Sequence, residues 1–445
     1  MRFRSKFNIA YLDTAWLLCL AVYLFAGIPH ISVHPDEITH IFMTDDYAAV
    51  FIEHSPEQVQ DIFDENGRLY DWNALLHLIE APLHGYIMGF AWHVAGMTRD
   101  DLPENWNWGM DWQSNVERGA MPSDRLLYTE RFASTVLLFG SVVVMFALGW
   151  LFGKRPFAYF ASGLYALNPL ILFHARRAMH EAPLLMFGLL TILVAALISR
   201  KRERGESVSI VWWLTFGLTC GLAVASKHSS LVFIGAAVAW IFVGELSRRD
   251  WRGALAITPK LIGAGILSIV LVFVLTPVLW VDTSARLRLL YVERRDSIRD
   301  QAQTENYQPT IQERIEYALT AAFIETISLG TRAETLLMET NYRASALAGV
   351  PLGNVVGGIL TIAALLGALA AVSRRLCPPS YSSALSLGLA VFALAFAVNL
   401  VLSPLHWQRY YILAVPPMTL LAGMGLHTLI YHVQSVRSSR RVNPI

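Results

Sequence analysis

Ten apolar segments punctuate the chain, near 11–28, 132–152, 156–173, 181–199, 209–226, 229–245, 257–280, 348–372, 384–402 and 409–430. Most approach the length of about 20 residues that carries a helix across the hydrocarbon core of a bilayer. They predict an all-α polytopic membrane protein, a bundle of about ten transmembrane helices. One further apolar run, Leu83 to Met97, has about 15 residues and is too short to span. It is read as a juxtamembrane or re-entrant helix on the outer face. Only 16% of the residues are charged, against about 25% in ordinary soluble domains.

The positive charges orient the bundle. Lys154-Arg155, Arg200-Lys201-Arg202, Arg248-Arg249, Arg374-Arg375 and the tail residues Arg437, Arg440 and Arg441 follow alternate segments, and Arg2, Arg4 and Lys6 precede the first. With both termini cytoplasmic, every cluster falls inside, as the positive-inside bias requires. If 83–97 crossed, the later clusters would flip outside. The first segment is expected to be a retained anchor, since no small-residue cleavage site follows it. This topology leaves two outer regions, 29–131 and 281–347, on one side. The expected divisions are a transmembrane module over 1–280 that includes the outer loop 29–131, an extracytoplasmic lid over 281–347, and C-terminal membrane helices over 348–445.

The first outer region opens with His34-Pro35-Asp36-Glu37-Ile38-Thr39-His40. A charge inside the hydrocarbon costs roughly 2.5–3.5 kcal/mol on insertion scales, so these acids belong at the membrane surface. There they either solvate a loop or do proton chemistry on a substrate that is half in the membrane. Other polar groups reach the same face: Arg131, then His174, Arg176, Arg177, His180 and Glu181, then Lys227-His228, then His406 and Arg409. Any one cation alone reads as interfacial snorkelling. Several, converging with carboxylates, point to an anionic, lipid-borne substrate, because guanidinium groups grip phosphate oxygens with a two-pronged fork. The second outer region is charge-rich, with Arg286, Arg288, Arg294, Arg295 and Arg299. Trp106, Trp108 and Trp112 are read as a headgroup belt. Cys19, Cys220 and Cys377 show neither metal spacing nor a disulfide framework.

Several stretches together resemble, in order, the motifs of GT-C membrane glycosyltransferases of the class that holds protein O-mannosyltransferases and aminoarabinose lipid A transferases. They are Pro35-Asp36-Glu37, Glu80-Ala81-Pro82-Leu83-His84-Gly85-Tyr86, Arg131-Phe132-Ala133-Ser134, Ala175-Arg176-Arg177-Ala178-Met179-His180-Glu181, Ser226-Lys227, and Arg409-Tyr410 with Pro416-Pro417. The likeness covers about the first 245 residues and the last 40. Ala81 departs from the lysine or proline of those relatives, and Glu181 stands where aspartate is usual. The resemblance implies a GT-C-like bundle with outer-face juxtamembrane helices. It also implies transfer of a sugar from a polyprenyl-phosphate donor to a lipid, glycan or protein hydroxyl, on the periplasmic side of the plasma membrane, by single displacement with inversion.

In that reaction the lipid phosphate leaves as a stable anion. One base and a set of cations then suffice, where glycosidases need two carboxyl groups. Asp36 is the expected base, with Glu37 and Glu80 positioning acceptor or sugar. Arg131, Arg176, Lys227 and Arg409 form the expected phosphate clamp, and His40, His84, Glu181 and His406 complete the expected substrate site. No cofactor is required. A divalent metal is compatible with His34, Asp36, His40, Glu80, His84 and Glu181 as ligands, whereas His174 and His180 read as interfacial packing. The expected partners are the polyprenyl-linked donor, the acceptor and membrane lipids, with no nucleic acid. A polyprenyl-lipid or solute transporter is the competing class, and it should show internal repeats or paired broken helices near the midplane. A third reading is a non-catalytic assembly subunit, which would not need Asp36.

Overall fold

The computed structural model describes residues 10–64, 69–248, 250–304, 309–328, 333–373, 375–378, 381–403, 405 and 407–442. Among these residues the chain is helical, and the isolated Phe63–Leu69 bridge is its one extended pairing. Eight helices are long and apolar enough to cross a membrane. The ten expected segments map onto these eight for two reasons. Segment 209–226 is a 17-residue helix, Ile210–Ser226. Segments 132–152 and 156–173 share one folded helix, Asp124–Ala166.

That helix reverses on itself. Ser141 Oγ lies 2.9 Å from Tyr165 OH, whereas a straight helix would hold them about 36 Å apart at 1.5 Å per residue. The break sits at Gly153 (φ −140°) and Lys154 (φ 60°, ψ −152°). Pro156 follows in the first turn of the returning arm, where its missing N–H costs no helical bond. Gly149 lets the arms close, since a Cβ there would stand 2.8 Å from the Ala158 Cα. Asn168 then starts the short helix Pro169–Ala175, its Oδ1 accepting the N–H groups of Leu170 (3.0 Å) and Ile171 (3.2 Å).

The spans Glu181–Glu203 and Gln408–Ser435 are the most enclosed and Trp251–Leu275 the least. Glu181–Glu203 packs against Asp124–Ala166, Ile210–Ser226, Leu231–Ser247 and Ser383–Leu402. Lipid supplies no hydrophobic drive between spans, so close contact between small residues matters. Gly353–Val372 and Val415–Val442 cross at Gly367 and Gly425, where an added Cβ would overlap the Leu421 and Ala363 carbonyls.

The two ends of the bundle differ chemically. At one end Arg155 Nη2 pairs with Asp13 (3.0 Å), and Arg202 and Arg248 share Glu245. These are the basic clusters that the charge alternation assigns to one side. At the other end lie the helices Pro35–Phe42, Trp72–Ile79 and Leu83–Val94 of the first outer region. Leu83–Val94 has 12 residues, about 18 Å of helix, and packs beside Asp124–Ala166 instead of crossing. The second outer region joins this end. Thr283–Thr304 lies on Trp72–Ile79, and Tyr342 of Ala333–Ala344 stacks on Phe173 at 5.7 Å.

Candidate functional site

The helix Pro35–Phe42 places the first acids. Pro35 pre-sets the first helical φ, and His34 Nδ1 accepts the Asp36 N–H at 3.1 Å. Adjacent helical residues point about 100° apart, so Asp36 and Glu37 diverge. Glu37 turns inward and is fully buried. Asp36 turns outward, its side chain 23% exposed, and His40 shares its face four residues on.

The inward acid is part of a lock. Arg131 donates to it twice, Nε to Oε1 and Nη2 to Oε2, each at 2.7 Å, and the Ala178 N–H reaches Oε1 at 2.9 Å. Arg131 directs its remaining donors to the Ile28, Ile31 and Ser32 carbonyls. Burial opposes ionisation of Glu37, but the adjacent Arg131 guanidinium outweighs it and holds the carboxyl below its usual value. Arg176 is buried too, donating to the Leu24, Tyr23 and Leu347 carbonyls and to Tyr342 OH. Arg177, to which the sequence assigned no role, donates to Ser32 O (3.3 Å) and Ser32 Oγ (3.0 Å) above the Phe173 ring. Glu37, Arg131 and Arg176, expected to position or bind substrate, are buried here with their polar atoms on protein partners, and they tie segments together.

Three other carboxylates each face a cation. Asp36 pairs with Arg409, Glu80 with Arg294 (2.9 Å) and Glu181 with Lys227 (2.7 Å). The side chains of Asp36, Glu80, Lys227 and Arg409 are each about one fifth exposed. Arg294 comes from the second outer region; the sequence named it only within a run of arginines. The pairs form one cluster, since the His40 imidazole feels Glu80, Asp36, Glu181 and Lys227. Arg409 lies over the Trp407 and Tyr410 rings at 5.0 and 5.5 Å, and its buried Nε has no partner among the described residues. Burial disfavours the Asp36 charge, yet Arg409 and the nearby imidazoles hold its carboxyl well below the carboxylate range. Glu80 is likewise lowered, with Arg294 outweighing burial. Burial pushes His34 down to about 4, consistent with its ring nitrogen accepting a hydrogen bond.

His40 and His84 line the same cluster, both buried. His180, expected as interfacial packing, joins them: its ring centroid is 4.2 Å from His40 and 4.8 Å from His84. No spacing in the sequence links positions 40, 84 and 180, so only the fold could reveal the trio. His406 lies outside the described residues. The tryptophans divide, with Trp106 buried against Trp112 and Trp108 exposed, so the belt reading does not hold for Trp106.

Residues 106–282 match the family model of dolichyl-phosphate-mannose-protein mannosyltransferases. The matched part takes in Arg131, Arg176, Glu181 and Lys227 and leaves out Asp36, Glu80 and Arg409. No curated protein sequence matches the chain. Among solved structures, the archaeal oligosaccharyltransferase AglB from Archaeoglobus fulgidus, in complex with an inhibitory peptide and a dolichol-phosphate, has a TM-score of 0.52 at 13% identity, over 99% of this chain and 53% of its own. ArnT from Cupriavidus metallidurans bound to undecaprenyl phosphate gives 0.48 at 13% identity, over 94% of this chain and 60% of its own. The S. cerevisiae protein O-mannosyltransferase Pmt1-Pmt2 complex bound to the sugar donor gives 0.36 at 16%, over 63% and 33%. The chain thus spans 53% to 60% of the length of the first two. The expected GT-C-like fold is borne out, and the chain is an integral, multi-pass membrane protein.

Proposed function

We propose that this protein transfers a sugar from a polyprenyl-phosphate donor to an acceptor hydroxyl, at the extracytoplasmic face of the plasma membrane. The observation that carries this reading is the Asp36–Arg409 pair: a partly exposed carboxylate beside a guanidinium whose buried Nε lacks a partner among the described residues. The names of the similar proteins, which hold dolichol-phosphate, undecaprenyl phosphate or a sugar donor, support the substrate class. The basic clusters at the opposite end of the bundle support this side.

The step balances with one base. The acceptor O–H proton goes to the Asp36 carboxylate while the acceptor oxygen bonds the anomeric carbon. On the opposite face the bond from that carbon to the phosphate oxygen breaks, and its electron pair leaves on the lipid phosphate. Arg409 and Lys227 face that developing charge, which is where fixed cations act most strongly. Glu80 and Arg294 sit across the cluster and hold the acceptor, and the second outer region closes over it as a lid. The low pKa of Asp36 keeps it ionised at working pH, ready to accept a hydrogen bond.

The test is sugar transfer from a polyprenyl-phosphate sugar in detergent or vesicles. Asp36→Asn keeps the shape but cannot take the proton, and turnover is expected to fall 10²–10⁴-fold with donor binding retained. Near-normal turnover by this variant would overturn the assignment.

A further inference from the structure

We infer that His40, His84 and His180 form a binding site for a divalent transition metal of the zinc class. The three rings come from separate places: the last turn of Pro35–Phe42, the first turn of Leu83–Val94, and the residue before Glu181–Glu203. One ligand nitrogen from each lies within 4.8 Å of the others, and small ring rotations would draw them to the roughly 3.3 Å spacing that a Zn–N distance of about 2.0–2.1 Å sets in a tetrahedral site. The side chains are 9%, 1% and 2% exposed.

Hydrogen bonding leaves these nitrogens in need of a partner. His40 Nδ1 and His84 Nε2 are buried and have none among the described residues. An unsatisfied buried polar group costs about 1–3 kcal/mol, so three apolar side chains would fill this space more favourably if packing were the only demand. His180 carries a sharper sign. Its Nε2 lies 3.2 Å from the Ala81 carbonyl, which can only accept, so Nε2 bears the hydrogen. In the neutral ring the lone pair of Nδ1 is then left 3.4 Å from a Glu80 carboxylate oxygen. Two electron-rich atoms face each other, and a cation bound at Nδ1 turns that repulsion into attraction. A metal-bound imidazole whose other N–H rests on a backbone carbonyl is the usual second-sphere arrangement.

The donor set names the metal. Asp36 and Glu181 already face Arg409 and Lys227, and one Glu80 oxygen faces Arg294, so the imidazoles outnumber the oxygen ligands left for a hard ion. Three imidazoles suit zinc or cobalt and not magnesium or calcium, and three protein ligands leave a coordination position open. This set is narrower than the mixed oxygen and nitrogen set expected from the sequence.

The test uses the full chain in detergent, loaded with Zn²⁺ and desalted, and does not depend on glycosyl transfer. We expect one zinc per chain by elemental analysis, visible absorption bands on Co²⁺ loading, and a melting temperature raised by Zn²⁺ but not by Mg²⁺. His84→Gln and His40→Gln should each lower zinc affinity at least 10-fold, whereas His93→Gln, on the exposed side of the same helix, should not. Folded wild-type protein that retains no zinc and shows no Co²⁺ bands would overturn the site. So would equal binding by Mg²⁺, or zinc unaffected by both cluster substitutions. If a variant fails to fold, the wild-type Co²⁺ spectrum still decides.

Discussion

At the residue scale, Arg131 and Arg409, two of the three arginines first grouped as phosphate ligands, separate by what surrounds them. Arg131→Ala would leave Glu37 charged, buried and uncompensated, which costs about 3–5 kcal/mol. Its effect should appear as a lower melting temperature and poor recovery of monodisperse protein, not as weaker donor binding. Removing both partners, as in Glu37→Leu with Arg131→Leu, should recover part of that loss. Arg409→Ala behaves oppositely. It should weaken donor binding by about 1.5–3 kcal/mol, the scale of a charge-assisted hydrogen bond, with the fold retained. Donor titration of the two purified variants checks the contrast, and equal donor affinity in Arg409→Ala and wild type would remove Arg409 from the site. Residue types and order in the sequence brought Asp36, Lys227 and Arg409 to notice. They did not separate Arg131 from Arg409, because the difference lies in which carbonyls reach each guanidinium, and the Ile28, Ile31 and Ser32 carbonyls are placed by a turn with no signature of its own.

At the scale of elements, the apolar blocks were legible and their joins were less so. Gly153-Lys154-Arg155-Pro156 reads as a break between two segments, and the structure turns there. The exact turn is strained: Lys154 adopts φ 60°, ψ −152°, a region that costs a side-chain-bearing residue on the order of 1–3 kcal/mol. Lys154→Gly should therefore raise stability by about 1 kcal/mol, after the entropy that glycine loses on folding is subtracted. Gly149→Val should do the reverse, because its side chain would meet the Ala158 backbone; overpacking of this kind costs about 1–3 kcal/mol. Thermal melting of the two variants reads both signs. The histidine trio was not legible at this scale either, since it forms only where two short outer helices meet the start of a span.

For the whole molecule, the charge alternation anticipated which ends gather, and the buried imidazoles set how the assembly responds to acid. Burial holds His174 well below 6.5 and His34 near 4. Each is neutral when folded but would take a proton near 6.5 when unfolded. Their contribution is thus fully present above about 6.5 and is lost as pH falls toward the lowered folded values. Asp36 and Glu80, also lowered, contribute stability that is fully present above the ordinary carboxylate range and is lost as pH falls through that range toward the lowered folded values. At His77 burial is outweighed by the Asp46 charge, which raises the imidazole, so its contribution has the opposite sign. The drop in melting temperature from pH 7 toward 5 should therefore be smaller in His34→Gln than in wild type, and equal drops would contradict the buried neutral His34. The Glu37–Arg131 lock also has a consequence in time. Its halves are 94 positions apart, and at about 5–20 residues per second of synthesis the acid is made roughly 5–20 s before its partner. During that interval the newborn outer loop has no counter-charge to settle against and must wait in water. A ribosome-stalled chain ending before residue 131 should leave this loop open to protease, and one ending beyond residue 178 should protect it.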